Sequence, residues 1–412
     1  MSYVIVGDGI AGSSAAETIR QEDVESDVTV ITDEGEALYN RILTKEFAKG
    51  KLPEGPISIH DPEWYDERDI DLELNTYVTG VDTDAHEVHT HEGETYEYDK
   101  LLIATGGTPI QLPVGDSDAD GIHHFWTFQD ARKIREHADE AEKGIVVGAG
   151  LLGIDLAAIC AAHDIEANYL MRGNRWWRYA LSLDGAEIVH DALAENDVKP
   201  VFESGVDHFE TDEDGHVTAA VDPNGDRYEG DFCGIAVGLD FNTEWLQGSG
   251  IETDNGVVVD EYMQTSDEDV YAAGDITQFH DTILGERAQN GAWGSAREQG
   301  SVAGANMVAD GEAEEFRWVS TYSISHFDFA FLSFGHPTLG EETAERKYSD
   351  SEWRRLAFKN GQLIGGVLIG DLSQQSNYKQ IIREERQVAD QKELLLEEDF
   401  DLEDLEAPPQ VE

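Results

Sequence analysis

Short apolar runs, each closing on glycine or an acid, recur along this chain with helix-length mixed stretches between them. Tyr3-Val4-Ile5-Val6 and Val28-Thr29-Val30-Ile31 are apolar almost without alternation. Strands of that kind are covered on both faces, as in a parallel sheet with helices above and below it. Ser13–Arg20 supplies a helix between them, and polar Gln21–Asp27 supplies the return. The same order comes back at Ile145-Val146-Val147 and, further on, roughly Ala167-Asn168-Tyr169-Leu170-Met171. Parallel strands need a crossover of about a dozen residues or more, and both intervals provide one. The pattern therefore predicts an α/β chain with two separate βαβ units.

Each unit turns from strand to helix through a glycine-rich hexapeptide. The first is Gly7-Asp8-Gly9-Ile10-Ala11-Gly12 and the second Gly148-Ala149-Gly150-Leu151-Leu152-Gly153. In a dinucleotide fingerprint the first glycine makes the tight turn and the second lets backbone N–H groups approach a pyrophosphate. The third lets the helix pack close to the strand. The helix N-terminus then presents partial positive charge to the phosphates. Two such turns in one chain point to two dinucleotides that must meet.

The second strand of each unit ends on different chemistry. The first reaches Thr32-Asp33-Glu34, where a ribose-binding carboxylate belongs, with Glu34 the first choice and Asp33 the alternative. A carboxylate there repels a 2′-phosphate. The second runs into Arg172-Gly173-Asn174-Arg175-Trp176-Trp177-Arg178. Guanidinium groups suit a 2′-phosphate through charge-assisted bidentate hydrogen bonds, so Arg172 and Arg175 favour NADPH over NADH. The competing reading has these arginines pairing with neighbouring acids.

Lys and Arg total 28 against 87 Asp and Glu, a net charge of −59 spread through the whole length. Disordered acidic chains lack apolar runs, whereas this one is 40% hydrophobic. A carboxylate-saturated globular surface is tolerable where salt shortens the Debye length to about 3 Å at 1 M. The expectation is a cytoplasmic protein of a salt-accumulating halophile, with neither nucleic acid nor membrane as partner. No apolar stretch approaches the roughly 20 residues of a membrane span, and neither signal peptide nor anchor is expected. Cys160 and Cys233 stand singly in apolar segments, as core residues of a reducing compartment would. The 14 histidines show no metal spacing, and His123-His124 reads as a strand end, so no metal is expected.

Further motifs fall in a fixed order. Leu101-Leu102-Ile103-Ala104-Thr105-Gly106 and Ile235-Ala236-Val237-Gly238 look like strands leaving two nucleotide domains. Thr265-Ser266 leads on to Val270-Tyr271-Ala272-Ala273-Gly274-Asp275. With the two turns, these make the chain resemble the pyridine nucleotide–disulfide oxidoreductase superfamily of flavoproteins. Within it the resemblance is to rubredoxin and ferredoxin reductase-like enzymes and to the FAD/NAD(P)H module of the nitrite reductase large subunit, from Met1 to about Val388. The implied fold is two Rossmann-like dinucleotide-binding domains, glutathione reductase-like, plus a small α+β C-terminal domain. The implied boundaries are 1–110 and 241–318 for FAD, 111–240 for NAD(P)H, 319–390 for the C-terminal domain and 391–412 for an acidic tail. That tail, with Ala407-Pro408-Pro409 near its end, is expected as a surface helix with a frayed end or as disordered chain.

The resemblance also implies a site. FAD contacts are expected from Gly7, Gly9, Ile10, Ala11, Gly12, Asp33 or Glu34, Arg41, Lys45, Val78, Ala104, Thr105, Gly106, Gly274 and Asp275. Asp275 binds the ribityl chain and Arg41 lies near the pyrophosphate. Trp293 either covers the flavin or belongs to the core. Nicotinamide-nucleotide contacts are expected from Gly148, Gly150, Leu151, Leu152, Gly153, Arg172, Arg175 and Gly238. Trp176 and Trp177 read as packing. Disulfide reductases of the superfamily carry a Cys-x4-Cys pair on the first FAD helix, and single-cysteine relatives place their thiol near Ile42. Here that segment is Tyr39-Asn40-Arg41-Ile42-Leu43-Thr44-Lys45-Glu46-Phe47, so electrons must leave the flavin directly. Lys45 is expected beside the flavin and paired with Asp155, the two carrying the catalytic role; the bland alternative is a surface ion pair. The implied activity is an FAD-dependent NAD(P)H oxidoreductase that passes hydride from nicotinamide to flavin and electrons to a separate acceptor. That acceptor would be a ferredoxin, a rubredoxin or a nitrite reductase-type partner, the protein itself being a monomer or homodimer. The alternatives are an NAD(P)H oxidase or quinone reductase with a small-molecule acceptor, and a non-catalytic FAD-binding structural or sensor protein.

Overall fold

The structure is a computed structural model describing residues 1–309 and 313–405; Ala407-Pro408-Pro409 of the tail lies outside the described residues. It divides into two compact units. One comprises 1–40, 54–108 and 240–320, the other 41–53, 109–239 and 321 onward.

The first unit is built on five parallel strands, β1 (Ser2–Val6), β2 (Asp27–Ile31), β3 (Ile70–Glu73), β4 (Lys100–Ile103) and β10 (Val270–Ala272), in the order β3-β2-β1-β4-β10. β1 pairs in register with β2 over five residues and with β4 over four. Helix α1 (Ile10–Glu22) follows β1, and α7 (Trp293–Val308) packs across it. The packing is backbone to backbone. A Cβ on Gly300 would lie 2.0 Å from the Ala11 carbonyl oxygen, and one on Gly304 would lie 2.7 Å from that of Ala15. The short helices α2 (Thr44–Ala48) and α3 (Pro62–Asp66) fall in the second and first unit respectively.

The second unit repeats the plan with β5 (Ile122–His124), β6 (Lys143–Val147), β7 (Glu166–Met171), β8 (Val198–Phe202) and β9 (Phe232–Ile235), in the order β8-β7-β6-β9-β5, all parallel. Strand for strand this is the sheet of the first unit, except that the outermost strand comes early in the chain instead of late. His123 and His124 therefore lie within an edge strand, His123 Nε2 2.8 Å from His137 Nδ1. Helix α4 (Phe128–Ala138) opens on a capping box of Thr127 and Asp130. Helix α5 (Leu151–Ala162) is buried from Gly153 to Cys160, as a sequence apolar but for Asp155 requires, and α6 (Leu183–Glu195) flanks the same sheet.

The expected C-terminal domain lies inside this second unit. It is an antiparallel sheet of β11 (Thr321–Ile324), β12 (Phe331–Gly335), β13 (Glu342–Lys347), β14 (Trp353–Lys359) and β15 (Gln362–Ile369), ordered β11-β12-β15-β14-β13. Amphipathic α8 (Gln375–Arg383) covers it with Tyr378, Ile381 and Ile382. As far as residue 405, the acidic end contains a short helix, Lys392–Leu395, in keeping with the helical expectation, and it is more closely packed than that expectation implied. Leu395, Leu396 and Phe400 are buried, and the Tyr378 hydroxyl donates to the Leu395 carbonyl at 2.6 Å. No helix among the described residues is long and apolar enough to cross a membrane.

Candidate cofactor and redox site

Both glycine turns have the geometry a pyrophosphate requires, each inside its own unit. Gly7 has φ +111° and Gly148 φ +114°, in the left-handed region that side chains avoid. A Cβ would strike the Ala104 carbonyl oxygen at 2.3 Å in the first turn and that of Ala236 at 2.0 Å in the second. Gly12 and Gly153 press their helices onto the same turns, a Cβ there falling 1.9 and 2.0 Å from the carbonyl oxygens of Gly7 and Gly148. At Gly9 and Gly150 the result inverts: a Cβ would meet nothing within 4 Å. These glycines are the N-caps of α1 and α5, and neither helix has a side-chain cap. The first-turn N–H groups of Ile10, Ala11, Leu151 and Leu152 have no intrahelical acceptor, and the open space beside the N-caps is what a phosphate fits.

Around the first turn the structure gathers several expected FAD residues. Glu34 is half-buried and its Oε2 accepts from the Tyr39 hydroxyl at 2.8 Å, whereas Asp33 is exposed. Gly274 comes against α1, a Cβ there lying 3.1 Å from that of Ala11, which sets Asp275 beside the same helix start. Buried Gln299 accepts from the Gly274 N–H at 2.8 Å and the Thr277 hydroxyl at 2.9 Å, a clamp the sequence reading missed. Ala104 is buried, with Thr105 exposed and Gly106 at φ +62° behind it. Val78 is buried in an antiparallel strand, Val78–Asp82. Trp293 is the first residue of α7, half-buried, and that helix also lacks a side-chain cap. Asp8 is 7% exposed and accepts twice from Tyr65, at 2.7 and 2.9 Å. Burial outweighs those hydrogen bonds and pushes its carboxyl up to about 7.

Around the second turn each carbonyl is tied down. Gly148 accepts from the Tyr169 hydroxyl at 2.8 Å, Ala149 from the Trp177 N–H at 3.0 Å and Gly150 from the Trp176 indole N–H at 3.2 Å. Trp176 is fully buried against Phe331, so it does pack, but it also braces the turn. Gly238, at φ +124°, accepts from the Ile110 N–H at 3.1 Å. The arginines separate. Arg175 donates to the carbonyls of Leu181 at 2.7 Å and Arg178 at 3.0 Å and to Asn174 at 2.9 Å, holding its own loop. Arg172 and Arg178 are exposed, Arg178 lying over the Tyr179 ring.

A third cluster lies inside the second unit, one helical turn beyond the second glycine turn. Lys45 Nζ is 3.4 Å from Asp155 Oδ1, with the two side chains 14% and 4% exposed. The sequence reading stopped at that pair. The same carboxylate meets His326 Nε2 at 2.6 Å and the Tyr322 hydroxyl at 3.2 Å, and His326 Nδ1 meets Lys49 Nζ at 3.1 Å. Burial, then the Asp155 charge, pushes the Tyr322 hydroxyl far above its ordinary value. Burial lowers the Lys49 ammonium despite the pull of Glu46. Arg41 lies over the Trp126 ring and donates to its carbonyl at 2.5 Å. Both cysteines are buried and unbridged; burial pushes the Cys160 thiol up to about 12 and raises that of Cys233 as well. A thiol so raised is inert. Among the described residues no group of three His, Cys, Asp or Glu could hold a metal ion.

Residues 1–300 match the family model described as pyridine nucleotide-disulphide oxidoreductase, and residues 324–386 match that of the rubredoxin NAD+ reductase C-terminal domain. The chain is 24% identical over 399 residues to the assimilatory nitrate reductase electron transfer subunit of Bacillus subtilis (strain 168), spanning 96% of itself but 51% of that protein. It spans about half the length of that relative. It is 27% identical over 286 residues to the rubredoxin-NAD(+) reductase of Pseudomonas putida, covering 69% of this chain and 74% of the other. The reductase in a covalent putidaredoxin reductase–putidaredoxin complex superposes with a TM-score of 0.89 at 24% identity, covering 96% of each chain, a likeness of fold. The chain belongs to the pyridine nucleotide-disulphide oxidoreductase family, whose members are FAD-dependent NAD(P)H oxidoreductases.

Proposed function

We propose that this chain binds FAD at the first glycine turn, oxidises NADPH or NADH bound at the second, and hands the electrons to a separate protein of the rubredoxin or ferredoxin kind. The carrying observation is the pair of turns whose middle glycines, Gly9 and Gly150, alone open onto free space. Bound FAD supplies the exchange between a two-electron donor and one-electron acceptors. The protein's own residues bind and orient. First-turn amides of α1 and α5 meet the two pyrophosphates, Glu34 takes a ribose, and Arg172 and Arg178 favour a 2′-phosphate. Lys45, 3.4 Å from Asp155 and about one helical turn from the second glycine turn, offers a positive charge to the nucleotide bound there. The buried, raised thiols support direct transfer from flavin to acceptor. The C-terminal match to the rubredoxin NAD+ reductase model, and the rubredoxin-NAD(+) reductase among the relatives, support a protein acceptor.

The saturating acidity supports a further part of the reading, a halophile's cytoplasm. Moving from about 0.1 M to about 2 M KCl should raise the thermal midpoint markedly, because the Debye length shrinks to a few ångströms.

Anaerobic titration tests the function. One equivalent of NADPH or NADH should bleach the flavin, and a rubredoxin or ferredoxin should restore its colour faster than dissolved oxygen does. Faster reoxidation by oxygen would make the protein an oxidase. Failure of either nucleotide to bleach it would reduce the protein to a flavin carrier.

A further inference from the structure

The three donors to Asp155 are unequal. His326 Nε2 lies at 2.6 Å, the Tyr322 hydroxyl at 3.2 Å and Lys45 Nζ, the farthest, at 3.4 Å. Behind His326 stands Lys49, its Nζ 3.1 Å from Nδ1 and 2.5 Å from Glu46 Oε1. An ammonium has three hydrogens and no lone pair, so a charged Lys49 obliges Nδ1 to accept. The imidazole proton then sits on Nε2, aimed at Asp155. A second ring proton would face the Lys49 ammonium where the Lys49 and His326 side chains are 3% and 2% exposed. Like charges at that range in a dry site oppose it, so Nε2 is the ring's donor toward Asp155. The groups facing the ring are therefore Lys45 and Glu46 on α2, Lys49 at its C-cap, Asp155 on α5 and Tyr322 on β11.

The backbone supports a purposeful placement. Directly after His326, Phe327 and Asp328 take φ +55° and +57°, two successive non-glycine residues in the left-handed region. That is costly for phenylalanine, and such strain persists where the surroundings over-determine it, often at functional sites.

We propose that His326 is a positioning residue that takes over Asp155, leaving the Lys45 ammonium loosely held and free to turn to the nucleotide at the second glycine turn. The proposal rests on the reading that this turn binds NAD(P)H. Asp155 stands four residues beyond Leu151, the first residue of α5, so its carboxylate is one turn from that pyrophosphate site. Lys45 is the more exposed of the two lysines in the cluster. Without the His326 N–H, the buried carboxylate would lack its closest donor and would draw Lys45 inward, as an uncompensated buried charge does.

The test follows the Lys45 Cε resonance in carbon-13 lysine-labelled, FAD-loaded protein without nucleotide, assigned with Lys45→Arg. His326→Leu should raise the Lys45 pKa by about 1 unit as the pair tightens. His326→Gln keeps an N–H for Asp155 and an oxygen for Lys49, and should leave that pKa nearly where it was. At saturating NADPH, flavin reduction should slow about tenfold in His326→Leu, with half-saturation unchanged, and recover in His326→Gln. An unchanged Lys45 titration in His326→Leu overturns the proposal. So does a Gln variant as slow as the Leu variant, which would make the ring a proton carrier. Should His326→Leu fail to fold, Lys49→Met decides instead. It should raise the imidazole pKa by about 1 unit in proton–nitrogen spectra, and no rise would overturn the proposal. A wild type that neither nucleotide reduces would defeat the functional reading, while the Lys45 titration would still decide the role of His326.

Discussion

Gly7 and Gly148 turn the chain at φ +111° and +114°, and Gly12 and Gly153 press their helices against the same carbonyls within 0.1 Å of each other's distance. What surrounds the two turns differs. The first is locked from the helix side, where Gly300 and Gly304 bring α7 onto the backbone of α1, and Gly274 meets that helix at its start. The second is locked from the strand side, by Tyr169, Trp176 and Trp177 donating to three successive carbonyls. Beside the first lies a buried acid, Asp8; beside the second lie exposed cations, Arg172 and Arg178. A turn clamped between two helices suits a cofactor that stays. A braced turn opening onto an exposed cationic loop suits a nucleotide that binds and leaves.

The comparison breaks most sharply at the glycines. Gly12→Ala or Gly153→Ala puts a methyl about 2 Å from a backbone oxygen that cannot move alone. Overpacking of that kind costs about 1–3 kcal/mol, and each variant should lose its own nucleotide while the other site keeps its function. Gly9→Ala and Gly150→Ala meet no protein atom and have extended backbone, so stability should stay within about 0.5 kcal/mol while nucleotide affinity falls. Calorimetric unfolding and flavin release separate the two classes. Equal destabilisation by all four would mean that the middle glycines are structural, and the two turns would lose their claim to pyrophosphate.

A smaller effect belongs to the first turn alone. The Asp8 carboxyl is raised to about 7, from an unfolded value near 3.8. Between those values the native state holds a proton that the unfolded chain has released. The stability from this group is therefore fully present below about pH 4 and is lost as pH rises through 7. Asp8→Asn should flatten that part of the stability curve and leave the apoprotein about 2–4 kcal/mol more stable near pH 8, from a shift of about 3 units discounted for relaxation. No equivalent acid sits in the second turn, where Ala149 takes the corresponding place. A pH profile identical in wild type and Asp8→Asn would return Asp8 to ordinary surface behaviour.

The contrast also marks what the amino-acid order could disclose. Both parallel sheets were legible because β1, β2 and β6 are largely apolar runs that each return after a helix-length interval, and both turns were legible because each glycine has its own place in the fingerprint. Lys45 and Asp155 came from motif position, and the structure puts them 3.4 Å apart. His326 was not legible: it stands 171 residues from Asp155 in a segment with no repeating pattern, and only β11 brings it back. Lys49 was not legible either, since nothing local shows that its ammonium would be buried between Glu46 and His326. Trp176 was judged by its ring, while the decisive atom is its indole N–H on Gly150. Gln299, on the far helix α7, had no signal at all. Long-range polar contacts escape a reading built on periodicity, because one side chain carries them and no period does.

The smallest predicted effect sharpens the cationic side of the comparison. From sequence, Arg172 and Arg175 were equal candidates for a 2′-phosphate. The structure gives Arg175 three acceptors in its own loop, the carbonyls of Leu181 and Arg178 and the Asn174 side chain. Moving it to a phosphate would leave those groups without their donor. Arg172 and Arg178 are exposed, and Arg178 is tied to the neighbouring Tyr179 hydroxyl at 2.8 Å, a contact water can replace at little cost. Arg172→Ala with Arg178→Ala should therefore weaken NADPH binding about tenfold, one charge-assisted contact of about 1.5 kcal/mol, and leave NADH unaffected. Arg175→Ala should do the reverse, lowering stability by about 1 kcal/mol with the NADPH-to-NADH ratio unchanged. Affinities for both nucleotides, measured on all variants at one fixed high salt, keep screening constant. If Arg175→Ala shifts the cofactor ratio and the double variant does not, the loop rearranges around its ligand and Arg175 carries the selectivity.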